Sequence, residues 1–478
     1  MLFSSLVFLY AFLPLVLLGY YVSPAPIKNY WLLVLSLAFF AWGGVSFTAL
    51  LVTSILFNYL FGICIQNNRE SKSGFHWLVA GVAFNLALLS VYKYANFFVE
   101  NLNVVFRTTF DDPGIILPVG ISFYTFHSLS YLVDIYRKKV EAQRNIFDLA
   151  LYIAMFSQLI AGPIIRYSDV WQQLKQREHS LLKFGSGVER FLIGMGKKVL
   201  LANTFAQVAD ALFDKNPNEL TAPLAWLGMA SYSLQIYCDF AGYSDMAIGL
   251  GRMFGFDFKE NFDYPYTARS VKEFWRRWHL SLSGFFRDYV YIPLGGNQKG
   301  TVRTYLNLLA VFFLTGIWHG ANWTFVIWGL FHGAFMLIER AGLDRLLEKL
   351  PAFFSRLYTL LVVMMAWVLF RATSFDQAVG FWKSLFNFNY TPMDLSATLL
   401  YLNKELVGVF AIAVAGAFGW LKWVQPLKTW MYQSSTRLAK FVSPLWMCSE
   451  WIFYAGILFL ATLYLAAGTY NPFIYYRF

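Results

Sequence analysis

The sequence predicts an all-α, polytopic membrane protein, and three observations carry that reading. Of 478 residues, 58% are apolar and 14% charged, where a soluble globular chain is roughly half apolar and about a quarter charged. Charge-free runs of the length a spanning helix needs recur along the whole chain. Aromatic residues make up 20%, and Trp and Tyr suit the membrane–water interface. Together these exclude a disordered chain, a disulfide scaffold and an ordinary soluble enzyme.

The runs give the elements in order. Residues 1–27 hold one span; its first charge is Lys28, and no basic stretch precedes its apolar run, so it reads as a retained span and not a cleaved signal peptide. Residues 29–68 split at Gly43-Gly44 into a hairpin of two. Further runs occupy 73–92, 113–133, 220–238, 304–338, 357–370, 406–421 and 451–476, while 149–165 and 188–209 suit short, tilted or re-entrant segments. The expectation is about eleven spans plus re-entrant or interfacial helices. They form one integral-membrane domain over 1–478, with 341–478 supplying additional C-terminal spans.

Charge orients these elements. Loops 137–147, 166–198, 251–303 and 422–449 carry 24 basic and 9 acidic residues, whereas loops 97–113, 210–219 and 372–405 carry 4 basic and 9 acidic. The positive-inside rule puts the first set in the cytoplasm and the N-terminus outside. The net charge of +11 then reflects loops facing anionic lipid and not nucleic acid. Cys64, Cys238 and Cys448 show neither disulfide nor zinc spacing.

Ionisable groups inside a membrane are costly, so each is a candidate site. His319 lies near the middle of the charge-free run 304–338, in Gly316-Ile317-Trp318-His319-Gly320-Ala321-Asn322-Trp323. Glycines 316 and 320 leave room for a substrate or for another backbone. A ring taken out of water there stays neutral and can accept a proton; the alternative is a histidine hydrogen-bonded between helices.

Segment 274–289 puts Trp275, Trp278, Leu282, Phe285, Phe286 and Tyr289 on one helical stripe, with Arg276, Ser283 and Arg287 on the adjacent face and His279 at the boundary. It reads as an interfacial or re-entrant helix, too charged to span. Its arginines either meet lipid phosphate or line a cytoplasmic entrance for an anionic donor. A third cluster ends a span, with Gln235 and Asp239 on one face and Asp245 about 240° round from Asp239. That geometry disfavours a carboxylate dyad and favours anchoring to Arg276, Arg277 or Arg287. His332 shares a site with His319 only if the run bends between them. His127 reads as a group hydrogen-bonded between spans. No GxSxG, Walker, HExxH or metal-spaced carboxylate pattern is present.

Trp318-His319-Gly320 in a long apolar run, with Phe274-Trp-Arg-Arg-Trp-His279 about forty residues upstream, resembles the membrane-bound O-acyltransferases, above all the bacterial branch that O-acetylates exopolysaccharides such as alginate. Leu117-Pro-Val-Gly-Ile-Ser-Phe-Tyr124, Leu159-Ile-Ala-Gly-Pro163, Asp239-Phe-Ala-Gly-Tyr-Ser-Asp-Met-Ala-Ile-Gly-Leu-Gly251 and Arg287-Asp-Tyr-Val-Tyr-Ile-Pro-Leu-Gly-Gly-Asn297 extend the likeness from residue 1 to about 340, with core motifs over about 115–340. His127 departs from it, standing where the alginate proteins carry Glu. The chain's end, Tyr470-Asn-Pro-Phe-Ile-Tyr-Tyr-Arg-Phe478, does not settle the polymer.

The resemblance implies a ring of tilted spans and re-entrant segments around a tunnel, in a bacterial inner membrane. It implies catalysis by His319, with His279 as the motif's second polar group, either orienting His319 or donating to an oxyanion. Substrate contacts are expected from Trp318, Asn322, Arg276, Arg277, Ser283, Arg287 and Asp239, with no metal and no tightly bound cofactor. The donor would be acetyl-CoA or another acyl thioester. The partners would be a periplasmic SGNH-type acetyltransferase or other acceptor protein, polysaccharide synthesis and export machinery, and membrane lipid. Alternatives are D-alanyl or other acyl transfer to an envelope polymer, a transporter or flippase, and a non-catalytic scaffold.

Overall fold

The computed structural model describes residues 1–159, 162–419, 421–433 and 436–472, and its described residues are helical with turns and loops but no β-strand. Expectations resting on Ile160, Ala161 and residues 473–478 lie outside the described residues. Among those described, six helices are long and apolar enough to cross a membrane: Val45–Asn68, Lys72–Phe106, Thr301–His319, Trp323–Lys349, Ala352–Arg371 and Phe441–Ala466. A seventh crossing arises if the bent pair Leu395–Tyr401 and Lys404–Ala417 acts as one. The protein is all-helical and multi-pass, with fewer long unbroken spans than the eleven expected.

The difference has a physical cause. An apolar run is the same whether its residues face lipid or protein. The run 113–133 becomes helical only at Ile121, after Pro118 and a left-handed Gly120, and the helix Ile121–Tyr136 is buried along most of its length. All but the first two residues of the run 220–238 lie within Ala222–Met253, which is buried almost end to end. It packs backbone to backbone on Leu181–Met195, with Gly249 against the Gly187 carbonyl and Gly242 against that of Gly194, the small-residue contact that lets membrane helices approach closely. The first 42 residues give two shorter helices, Phe8–Val22 and Ala25–Ala41, and the hairpin expected at Gly43-Gly44 does occur, with Gly44 at φ 147°.

Two further corrections concern the site. The run 304–338 is a hairpin of Thr301–His319 and Trp323–Ile338 that breaks at Gly320–Asn322. His319 therefore ends a helix instead of lying within one. A Cβ at Gly316 would run into the Phe325 carbonyl, and one at Gly329 into that of Phe312, so Gly316 makes room for a backbone and not for a substrate. Segment 274–289 is also broken: Val271–Trp275 stops, His279 turns left-handed at φ 45°, and Leu280–Phe286 leads into a wide turn over Arg287–Tyr291. Trp275, Trp278, Leu282, Phe285 and Phe286 are buried, but the single stripe with Arg276, Ser283 and Arg287 beside it does not exist.

Candidate active site

The two breaks bring the two motif histidines together. Trp318 neighbours both, its ring 4.9 Å from that of His319 and 6.2 Å from that of His279, centroid to centroid. His319 is 7% exposed and His279 fully buried. Trp328 and Phe370 meet the His319 ring edge-on at 5.0 and 5.1 Å. His332, on the far limb of the hairpin, sits 5.1 Å from Trp328, because the run does bend.

Helix termini leave their last four carbonyls without intrahelical partners. At the His319 helix three of these are met by consecutive side chains of Lys72–Phe106. The Tyr94 hydroxyl donates to the Ile317 carbonyl at 2.9 Å, and the Lys93 ammonium donates to the carbonyls of Trp318 and, at 3.3 Å, His319. Across the break, Asn322 caps the next helix by accepting from the Thr324 N–H at 2.9 Å, and its amide donates to the Thr373 carbonyl at 3.2 Å. Both ends of that amide are held by backbone groups, one at the start of Trp323–Ile338 and one at Thr373.

His279 is fixed by Asn261. The Asn261 side-chain oxygen accepts from the Ser281 backbone N–H at 3.2 Å and the Ser281 hydroxyl at 2.8 Å, and stands 3.1 Å from His279 Nδ1. A backbone N–H can only donate, so the atom facing Nδ1 is oxygen and the His279 proton sits on Nδ1. Its buried Nε2 has no hydrogen-bond partner and is left as an acceptor. A neutral His279 in this tautomer offers an acceptor and no donor at Nε2. The buried Trp318 Nε1–H, also without a hydrogen-bond partner, is a donor on a residue expected from the sequence to contact substrate.

The expected anchors of the carboxylates were also wrong. Asp239 pairs with Lys198 at 3.0 Å, both essentially buried, and Asp245 with Arg190 and Lys197 at 2.6 Å each. Arg277 pairs instead with Glu273 at 2.7 Å and Asp263 at 3.6 Å, and Arg287 with Asp288 at 2.7 Å. Arg276 is exposed, and the Ser283 hydroxyl donates to the Trp278 carbonyl at 3.5 Å. His127 is buried with its ring 5.5 Å from that of Tyr152. Among the described residues no group of three or more His, Cys, Asp or Glu could hold a metal ion.

An all-helical, multi-pass protein with two histidines gathered at broken helix ends has the makings of a membrane-embedded transferase, and the comparisons give the class. Residues 32–376 match the membrane-bound O-acyltransferase family, and the chain belongs to that family. It is similar to the probable alginate O-acetylase AlgI of Azotobacter vinelandii, 45% identical over 87% of this chain and 85% of the relative. It is also similar to that of Pseudomonas aeruginosa, 45% identical over 90% and 84%. The peptidoglycan O-acetyltransferase of Helicobacter pylori is 37% identical over 85% and 82%. The protein is an O-acyltransferase, its reaction takes an acyl donor, and the transporter and scaffold readings fall.

Proposed function

We propose that the protein moves an acetyl group from a cytoplasmic thioester, acetyl-CoA, to a hydroxyl acceptor on the outer face, for O-acetylation of an exopolysaccharide of the alginate kind. The O-acetylating activities named for the three relatives support acetyl over D-alanyl. The observation that carries the mechanism is that Trp318 neighbours both a buried His319 and a His279 whose Nε2 can only accept. In this reading His319 is the general base. It takes the acceptor's proton as the oxygen attacks the thioester carbonyl, the carbon–sulfur bond breaks, and the thiol leaves with a proton. His279 orients His319 or the acceptor hydroxyl through Nε2, and Trp318 Nε1–H meets the developing oxyanion.

Basic loops facing the cytoplasm support donor access from that side. The His319 helix has 19 residues, about 28 Å of rise, so its histidine end stands that far from its start at Thr301, and the His279 part of loop 251–303 reaches in to meet it. The shorter buried helices would complete a ring of tilted segments around the path between the faces. Arg276, Arg277 and Arg287, with Ser283, are assigned to the donor's side of that path. The acceptor would be a periplasmic SGNH-type protein or the sugar itself, in a bacterial inner membrane with the N-terminus outside.

The test is acetyl transfer by purified protein in liposomes, with labelled acetyl-CoA on one side and acceptor on the other. Label appearing on the acceptor only when the donor faces the basic loops supports the reading. Transfer of D-alanyl but not acetyl, or from the other face, contradicts it.

A further inference from the structure

Lys93 is a charge the proposed chemistry does not use, placed about two-thirds of the way along the spanning helix Lys72–Phe106. Its ammonium has three hydrogen-bond partners: the carbonyls of Trp318 and His319 and, at 3.4 Å, the Ser122 hydroxyl. All are uncharged. It also lies 5.7 Å from the centre of the Trp318 ring. An ionisable side chain at this depth is costly and turns toward the protein interior, and a cation is favoured where a helix ends in unpaired carbonyls. The carbonyls it caps belong to the base and to the tryptophan beside it.

We propose that Lys93 is a positioning residue for acyl transfer: it holds the frayed end of the His319 helix in one place and fixes a positive charge beside the reacting groups. The inference rests on the reading of His319 as the base. Two consequences follow from the geometry. With both carbonyls tied to one ammonium, the Trp318 and His319 rings keep a set relation to each other across the break at Gly320. The negative charge that builds on the thioester oxygen would then form near a cation lacking a carboxylate among its hydrogen-bond partners. Both effects act on the chemical step, because neither puts a Lys93 hydrogen on the donor or acceptor.

The experiment compares steady-state acetyl transfer, thermal unfolding and gel filtration in detergent for Lys93→Met, Lys93→Gln, Lys93→Arg and His319→Ala. The expected result is a kcat lowered by about a hundredfold in Lys93→Met and Lys93→Gln, the order of loss from a small displacement of catalytic groups. KM should stay within about twofold of the parent, and the unfolding temperature should be little changed. Lys93→Arg, which keeps the charge and the donors, should recover to within about tenfold. Should Lys93→Met fail to accumulate, Lys93→Gln retains a donor for the carbonyls and carries the same expectation. A kcat within about twofold of the parent in Lys93→Gln, or kcat, KM and unfolding temperature all worsening together with no rescue by arginine, would overturn the proposal. His319→Ala separates the failures: activity there removes the base reading itself, whereas an inactive His319→Ala beside an active Lys93→Gln removes only Lys93.

Discussion

The side-chain oxygen of Asn261 lies 3.1 Å from His279 Nδ1, and that contact fixes which nitrogen of a buried histidine keeps its lone pair. The same oxygen accepts from the Ser281 backbone N–H, so the amide cannot be turned round without losing a hydrogen bond. Asn261 thereby sets the tautomer of a ring eighteen residues away in sequence. Asn261→Leu should lower kcat at least about tenfold, since loss of a tautomer-fixing partner costs that much or more in comparable sites. Asn261→Asp keeps an oxygen toward Nδ1 and should retain more activity than Asn261→Leu. Equal rates in the two variants would remove Asn261 from the account.

Trp318 tests the oxyanion donor. Its ring stacks on Phe126 at 5.2 Å, so Trp318→Phe keeps an aromatic ring there and loses only the indole N–H and part of the area. A kcat reduced by about ten- to a hundredfold, with KM nearly unchanged, is expected from the loss of one such donor. A rate equal to the parent's would place the oxyanion elsewhere.

The hairpin that carries His319 depends on two backbones in contact. In Gly316→Ala or Gly329→Ala the added Cβ meets a carbonyl that cannot move aside. Overpacking of this kind costs about 1–3 kcal/mol, visible as a lower unfolding temperature in detergent. Gly408→Ala, on an open face of the helix Lys404–Ala417, should change it little. Similar losses in all three would show that the crossing is not tight.

Acid should loosen the Arg287–Tyr291 turn. Burial pushes the Asp288 carboxyl up, but hydrogen bonds from Arg287 and Arg166 more than offset this, and it sits below the usual carboxylate range. A depressed carboxylate contributes stability that is present above its unfolded pKa of about 3.9 and is lost as pH falls through the lower folded value. The unfolding temperature of the parent should therefore drop toward that of Asp288→Asn below about pH 4. Curves that stay parallel well below that pH would contradict the ion pair's part.

The sequence carried the helical class, the membrane and the His319 motif, because apolar runs and a Trp-His-Gly triplet are local signals. It also held the break in 304–338, in the helix-capping Asn322 just after Gly320, although the length of the run hid it. Lys93 and Asn261 were not legible in the same way. Lys93 meets its carbonyls across more than two hundred residues of chain, and Asn261 reaches His279 only because the backbone turns left-handed there. The partners of Asp239 and Asp245 were misread for a related reason. The nearest motif arginines in sequence were taken for them, whereas Lys197, Lys198 and Arg190 arrive on helices packed through paired glycines. Periodicity tells which face a residue takes on its own helix, and no more than that.

The central claim is that His319 takes the acceptor's proton. The most direct measurement is single-turnover transfer of labelled acetyl from acetyl-CoA in liposomes, by the parent and by His319→Ala at equal amounts of folded, inserted protein. The account predicts that His319→Ala still binds the thioester with nearly unchanged affinity and transfers no measurable acetyl. Transfer by His319→Ala at a rate near that of the parent would contradict it.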